Sequence, residues 1–327
     1  MKLLKEELKE NKLRPAYLFY GDEDYLRDYY INSIVSQMVT DPEFNYLKYN
    51  NQPYEPSDIA AFLDTPPLMS EKKVLVLKNT GLFKRPSASE KAFWAKAIAD
   101  LPEYVVVLFS EQEVDKRSTL FKAVKDTYHV VEFPYQERHH LISWSDRVMR
   151  SVGGTIERKE IEYLLDLTGP SMLSLKNELD KLANYCGSRK VTTEDIDNLV
   201  SKSLDAKVFA MMDELVSGNI SQAMETLSRL RLQKEQPVAI ISLVFRQFSS
   251  LRKLKLLEGQ CSLGEMAKRT GLREFVVKKY LSQLKGYPLE RLNKIILACQ
   301  RADHQIKSGK MEQWLALETL FVTCVHP

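Results

Sequence analysis

The sequence predicts three regions: a doubly wound α/β domain over residues 1–135, a small helical domain over 136–205, and an all-α domain over 206–327. Three observations carry this reading. Short apolar runs alternate with helix-like stretches as far as Phe133-Pro134, and no convincing strand follows. Those runs are apolar at successive positions, the pattern of strands buried on both faces in a parallel sheet. Charge divides the chain as well, at the start of the third region. Residues 206–327 carry 19 Lys/Arg against 11 Asp/Glu, a net of +8, so the total of +3 leaves −5 for residues 1–205.

The strand-like runs are PAYLFYG (15–21), FNYLKYN (44–50), KVLVLKN (73–79), EYVVVLF (103–109) and YHVVEF (128–133). Helical stretches over 23–39, 57–63, 87–100 and 118–125 lie between them. Beyond Pro134 a helix over 136–152 ends at Gly153-Gly154, and a second runs from about 158 to Gly169-Pro170. In a third, Met172, Leu175, Leu179 and Leu182 form one stripe, with Ser171 placed to cap its start and Gly187 to stop it. Thr192 with Asp195 has the form of a capping box ahead of Ile196. The remainder reads as a bundle of about five helices: Pro237 opens one that runs to Gly259, Pro288 opens another, and EQWLALETLFVTCV closes the series.

Composition excludes several classes. No apolar run reaches 18 residues, so no membrane span is expected. The first 15 residues are charged throughout and lack the apolar core of a signal peptide. Cys186, Cys261, Cys299 and Cys324 show neither C-x-x-C nor zinc spacing, so each reads as a small buried apolar residue in a reducing, cytoplasmic setting. His139 and His140 are adjacent and cannot share a helix face, so no metal pair is expected there.

The turn after the first strand is where an α/β NTPase carries strand, G-x-x-x-x-G-K-[ST], helix. Only Gly21 is present here. Leu26 stands at the second glycine position, Arg27 at the lysine and Asp28 at the hydroxyl. Asp22, Glu23 and Asp24 crowd a helix N-terminus that would otherwise attract phosphate. The third strand ends in Lys78-Asn79, not in a carboxylate that could hold Mg²⁺ through water. These two independent absences speak against nucleotide hydrolysis. No G-x-S-x-G or H-E-x-x-H occurs, so no catalytic residue, cofactor or metal is expected.

Two further segments admit both an ordinary and a functional reading. In Thr65-Pro66-Pro67-Leu68-Met69-Ser70 the prolines stiffen an extended loop that ends in two large apolar residues. Leu68 and Met69 either tuck back into the core or form a hydrophobic prong for a partner's pocket. Residues 262–281 have helix-turn-helix spacing, with Ala267, Gly271, Leu272, Val277 and Tyr280 at its small, turn and apolar positions. Lys268, Arg269, Arg273, Lys278 and Lys279 make the segment basic, although any two packed helices joined by a glycine turn give the same spacing.

Together these features resemble the delta-subunit family of the bacterial DNA polymerase III clamp loader. PAYLFYGDEDYLRDYY resembles the family's opening strand and helix, and VDKRSTLFKAV (114–124) its Asp-Lys-Arg segment. SLKNELDKLANYCG with VTTEDIDNLV is similar to its lid, and RADHQIKSGKMEQWLALETL (301–320) to its last helices. The resemblance runs in order along essentially the whole chain. It implies a RecA/AAA+-like sheet, a helical lid and a C-terminal collar. It also implies that the chain binds the beta sliding clamp and holds its ring open for loading onto primed DNA. The prong would be Leu68 and Met69, with Met where the family has Phe. The partners implied are the ATPase (gamma/tau) and delta-prime subunits, with primed DNA met non-specifically through the complex. A DNA-binding regulator using 262–281 and a divergent ATPase are the competing readings.

Overall fold

The computed structural model describes residues 1–216, 218–272, 274–284 and 287–325. It divides into two compact units, residues 1–165 with 170–200, and residues 166–169 with 201–327.

The first unit opens with α1 (Lys2–Glu10), which the charged N-terminal sequence did not suggest. One apolar stripe suffices to hold it: Leu4 is fully buried, and Leu8 packs against the same core. β1 (Ala16–Tyr20), α2 (Asp24–Met38), the short α3 (Pro42–Asn45) and β2 (Tyr46–Asn50) follow. Next come α4 (Pro56–Asp64), β3 (Lys73–Lys78), α5 (Ala88–Ala97), β4 (Val105–Glu111), α6 (Thr119–Thr127) and β5 (His129–Glu132). The strands form one sheet in the order β2-β3-β4-β1-β5, with every pairing parallel.

The two faces of the sheet feed separate cores, as the alternation of a pleated strand requires. Leu18, Leu75, Leu77, Val107 and Phe109 point into one, beneath Trp94 and Phe121. Tyr17, Phe19, Val74, Val76, Val106 and Leu108 point into the other, beneath Tyr30 and Ile34. β4 runs two residues past its apolar stretch and so ends in the polar pair Ser110-Glu111, both buried.

The helices after the sheet are α7 (Arg138–Ser151), α8 (Arg158–Thr168), α9 (Met172–Cys186) and α10 (Thr193–Leu199). The expected α9 stripe is buried, and Ser171 Oγ caps the helix by accepting from Ser174 N. The Thr192/Asp195 capping box is formed in both directions, and Arg189 adds a two-pronged ion pair to Asp195 at 2.7 and 2.9 Å.

The second unit is helical among the described residues. Its elements are α11 (Leu204–Val216), α12 (Ile220–Leu232), α13 (Pro237–Leu257), α14 (Leu263–Thr270), α15 (Glu274–Gln283), α16 (Leu289–Lys307) and α17 (Gln313–Val325). That is more than the five expected; α11 and α12, which bury Val208, Met211, Met212 and Leu215 and Ala223, Leu227 and Leu230, are the two the sequence reading did not place. α13 is the central column, burying Ile240, Val244, Phe248, Leu251 and Leu254 against Leu292, Ile295 and Cys299 of α16. Cys261 is half-buried, unlike the other three cysteines, because it lies in the turn after α13 and not on a core stripe. No helix among the described residues is long and apolar enough to cross a membrane.

Candidate functional site

The loop after β1 is filled by the chain's own charges. Glu23 caps α2 by accepting from Tyr25 N at 3.3 Å, and its other oxygen accepts from Met172 N, the first residue of α9, at 3.2 Å. Its side chain therefore lies at the N-termini of two helices, where an anion would otherwise bind. Burial raises the Glu23 carboxyl above the ordinary glutamate range, opposed by those two backbone donors. Arg27 is 1% exposed. Its guanidinium donates to Ser110 Oγ at 2.9 Å and pairs with Asp24, while Nε has no protein partner. Asp28, Glu111, Asp22 and Glu23 add their fields to it. Leu26 turns partly into the core beneath α2.

Lys78, at the end of β3, donates to both carboxylate oxygens of Asp28 at 2.6 Å. In a nucleotide-binding chain those two positions would reach each other through a metal ion, from a hydroxyl and a carboxylate. Here one carries a carboxylate and the other an ammonium, and they pair directly. Glu111, which the sequence reading passed over, accepts from Thr80 Oγ1 at 3.0 Å and Gly81 N at 3.1 Å, and burial raises its carboxyl. Two polar residues at the end of an otherwise apolar strand were the available signal.

Gly21 is kept for a backbone reason. Its φ is +123°, and a Cβ there would lie 2.4 Å from the Phe133 carbonyl oxygen. Its N–H is shared between the carbonyls of Glu111 and Gln112, and Phe133 O accepts from Glu23 N at 3.0 Å. Gly21→Ala is expected to destabilise the chain by about 2–4 kcal/mol, read as a fall in the urea midpoint, because the obstruction is backbone and cannot swing aside. A midpoint equal to wild type would refute this account of the glycine.

The second place is the loop between α4 and β3. The tuck-back reading of its tip does not hold, since Leu68 is 51% exposed and Met69 90%. Met69 also has φ +50°, in the left-handed region that costs a non-glycine residue free energy. Two buried side chains hold the loop. Asn45 Nδ2 donates to Leu68 O, and Asn45 Oδ1 accepts from Leu68 N, both at 2.8 Å. Lys73 Nζ donates to Phe62 O at 2.8 Å and Thr65 O at 2.9 Å, and lies 4.0 Å from the Phe62 ring centroid. Neither Asn45 nor Lys73 was singled out from the sequence. Each acts on backbone outside its own element, 8 and 11 residues away for Lys73 and 23 for Asn45, and a lone Asn or Lys gives no local sign of that.

Two models of one family match: "DNA polymerase III, delta subunit" over residues 17–134, and "DNA polymerase III delta subunit, C-terminal domain" over residues 205–324. The chain belongs to the DNA polymerase III delta-subunit family. It is 26% identical to DNA polymerase III subunit delta of Bacillus subtilis over 325 residues, covering 96% of this chain and 93% of that one. It is 25% identical to a probable DNA polymerase III subunit delta of Aquifex aeolicus, covering 88% of this chain and 85% of that one. Its fold is similar to the solved structure of the Bacillus subtilis DNA clamp loader delta protein, with TM-score 0.51 at 23% identity, over 100% of this chain and 99% of that one. A delta-family chain is a clamp-loader component.

The helix-turn-helix spacing falls inside the delta C-terminal match. α14 ends at Gly271 with φ +70°, and α15 follows. Met266, Val277 and Tyr280 are buried in the bundle, and Tyr280 stacks on Phe209 at 5.6 Å between ring centroids. Lys268, Arg269 and Lys278 are exposed, with Arg269 paired to Glu265 at 2.6 Å. Arg273 and the Lys279 side chain lie outside the described residues.

Proposed function

We propose that this chain grips the beta sliding clamp through Leu68 and Met69 and holds one interface of the ring open for loading onto primed DNA. The single observation that carries the reading is the tip. A methionine that is 90% exposed, in a left-handed backbone conformation, directly follows a leucine whose N–H and C=O are both held by a fully buried asparagine amide. Such an arrangement contributes little to folding and presents an apolar surface in advance of binding. The relative solved in Bacillus subtilis is described as a DNA clamp loader delta protein.

Holding a ring open requires preference for one of its states. A prong that fits the sprung interface better than the closed one shifts the ring by that differential affinity alone. The work of gating then belongs to the ATPase (gamma/tau) subunits, which join this chain and delta-prime through a collar at 206–327, with 136–205 as the lid. In this chain a nucleotide would have to displace Arg27 and meet Asp22, Glu23, Asp28 and Glu111, which supports a role without catalysis. The exposed basic residues of α14 and α15 suit non-specific, salt-sensitive contact with the DNA backbone. The burial of Val277 and Tyr280 is common to any packed pair of helices and so adds no support for a base-reading regulator.

Gel filtration of the chain with a purified sliding clamp tests the reading. Co-elution is expected to the same extent with and without Mg-ATP. A chain that elutes apart from the clamp, or joins it only when ATP is present, would overturn it.

A further inference from the structure

We infer that the clamp contact is built on two chain segments, with Phe44 as a further apolar anchor and Asn45 as the positioning residue that joins it to the Leu68-Met69 tip. The inference rests on the clamp reading above and assigns residues to that same surface.

Asn45 is fully buried. Its amide makes three bonds: Nδ2 donates to Asp41 O at 3.1 Å and Leu68 O at 2.8 Å, and Oδ1 accepts from Leu68 N at 2.8 Å. One side chain thereby ties the 41–45 turn to the tip and satisfies both peptide groups of Leu68, much as a neighbouring strand would. Phe44 is the residue before this bracket on one segment, and Met69 is the residue after it on the other. Since consecutive Cα atoms are about 3.8 Å apart, the bracket keeps the two side chains on neighbouring chain segments.

The exposures agree. Phe44 is 53% exposed, beside Leu68 at 51% and Met69 at 90%. The turn that carries Phe44 is itself fixed, because Pro42 starts α3 and Asp41 Oδ1 accepts from Glu43 N at 3.3 Å. A phenyl ring offers a large contact for only two side-chain torsions, whereas methionine must order three. The occupant that suits this pair of segments is one apolar pocket on the clamp, wide enough for Leu68 and Met69 with the ring of Phe44 at its edge. Asn45 touches no partner in this scheme. It acts by keeping Leu68 and Met69 in the binding conformation beforehand.

The test is the affinity of the full-length chain for a purified sliding clamp, with four variants alongside wild type. Phe44→Ala is expected to weaken binding at least tenfold with an unchanged unfolding temperature. Asn45→Ala is expected to weaken it similarly and to speed hydrogen exchange at the Leu68 amide. Asn45→Asp can still accept from Leu68 N but cannot donate to Leu68 O, so it should fall between. The Leu68→Ala/Met69→Ala pair separates the two levels of the proposal. If the pair abolishes binding while Phe44→Ala stays within twofold of wild type, the two-segment surface is overturned and the clamp reading stands. If the pair leaves binding unchanged, the clamp reading itself fails, and this inference with it. Should Asn45→Ala not fold, Phe44→Ala decides, since its side chain is half in solvent.

Discussion

Replacing Arg27 with Met is expected to lower the unfolding free energy by about 3–5 kcal/mol at pH 8, and by less at pH 5. Arg27 is a fully buried cation among Asp24, Asp28, Glu23 and Glu111. Exchanging a whole buried ion cluster for apolar residues can be neutral, but removing Arg27 alone leaves Glu23 and Glu111 desolvated and mutually repelling, while Asp28 keeps its pairing with Lys78. Release of the carboxylates is partial, because Asp24 is half exposed and can rehydrate, whereas Glu23 and Glu111 cannot.

The pH dependence follows from the sign of the shifts. Glu23 and Glu111 already titrate above the ordinary glutamate value in the folded chain, and loss of Arg27 raises them further. A carboxylate whose folded pKa is raised stabilises the fold below its unfolded pKa and loses that contribution as pH rises through the folded value. The variant's deficit therefore grows from pH 5 to pH 8. Urea titration in a Trp314→Phe background leaves Trp94 and Trp144 to report on the first unit. Equal stability of Arg27→Met and wild type at pH 8 would show that the cluster is not held by Arg27.

The Leu68→Ala/Met69→Ala pair should weaken clamp binding at least a hundredfold and leave the unfolding temperature within a degree or two. Two such side chains bury surface worth roughly 3–6 kcal/mol on docking, from which ordering costs are subtracted. A hundredfold loss corresponds to about 2.7 kcal/mol, just below that range, as the subtraction of ordering costs requires. Folding is spared because both side chains already stand largely in water.

Met69→Gly gives a sharper signature. Glycine takes φ +50° without steric cost, so stability should hold or rise by up to about 1 kcal/mol while affinity falls. Opposite signs for folding and binding mark a residue whose conformation serves a partner. A variant that loses stability and affinity together would instead make Met69 an ordinary structural residue.

Much of the first unit was legible in the sequence because its signals are local. Continuous apolar runs gave the strands and their parallel sheet, and the missing lysine and hydroxyl after Gly21 spoke against a phosphate site. The Thr192/Asp195 box and the α9 stripe needed only a few consecutive residues. α1 escaped because a single leucine stripe among charges looks like a solvated segment. The bridging residues escaped for a different reason. Asn45 meets Leu68 across 23 positions and Arg27 meets Ser110 across 83, and nothing near either residue in the chain announces its partner.

The sequence alone thus determined the strand–helix alternation, the mismatched phosphate loop and the presence of two large apolar residues on a proline-stiffened tip. Tertiary structure decided what those features became. It turned a list of acidic residues into a charge cluster closed around Arg27, with Glu23 seated at the start of α9. It also decided that Leu68 and Met69 face solvent and not the core, because Asn45 and Lys73 hold the loop by bonds to its backbone. Periodicity records which residues prefer burial, but the pairing of one buried polar group with another is fixed only when distant segments meet.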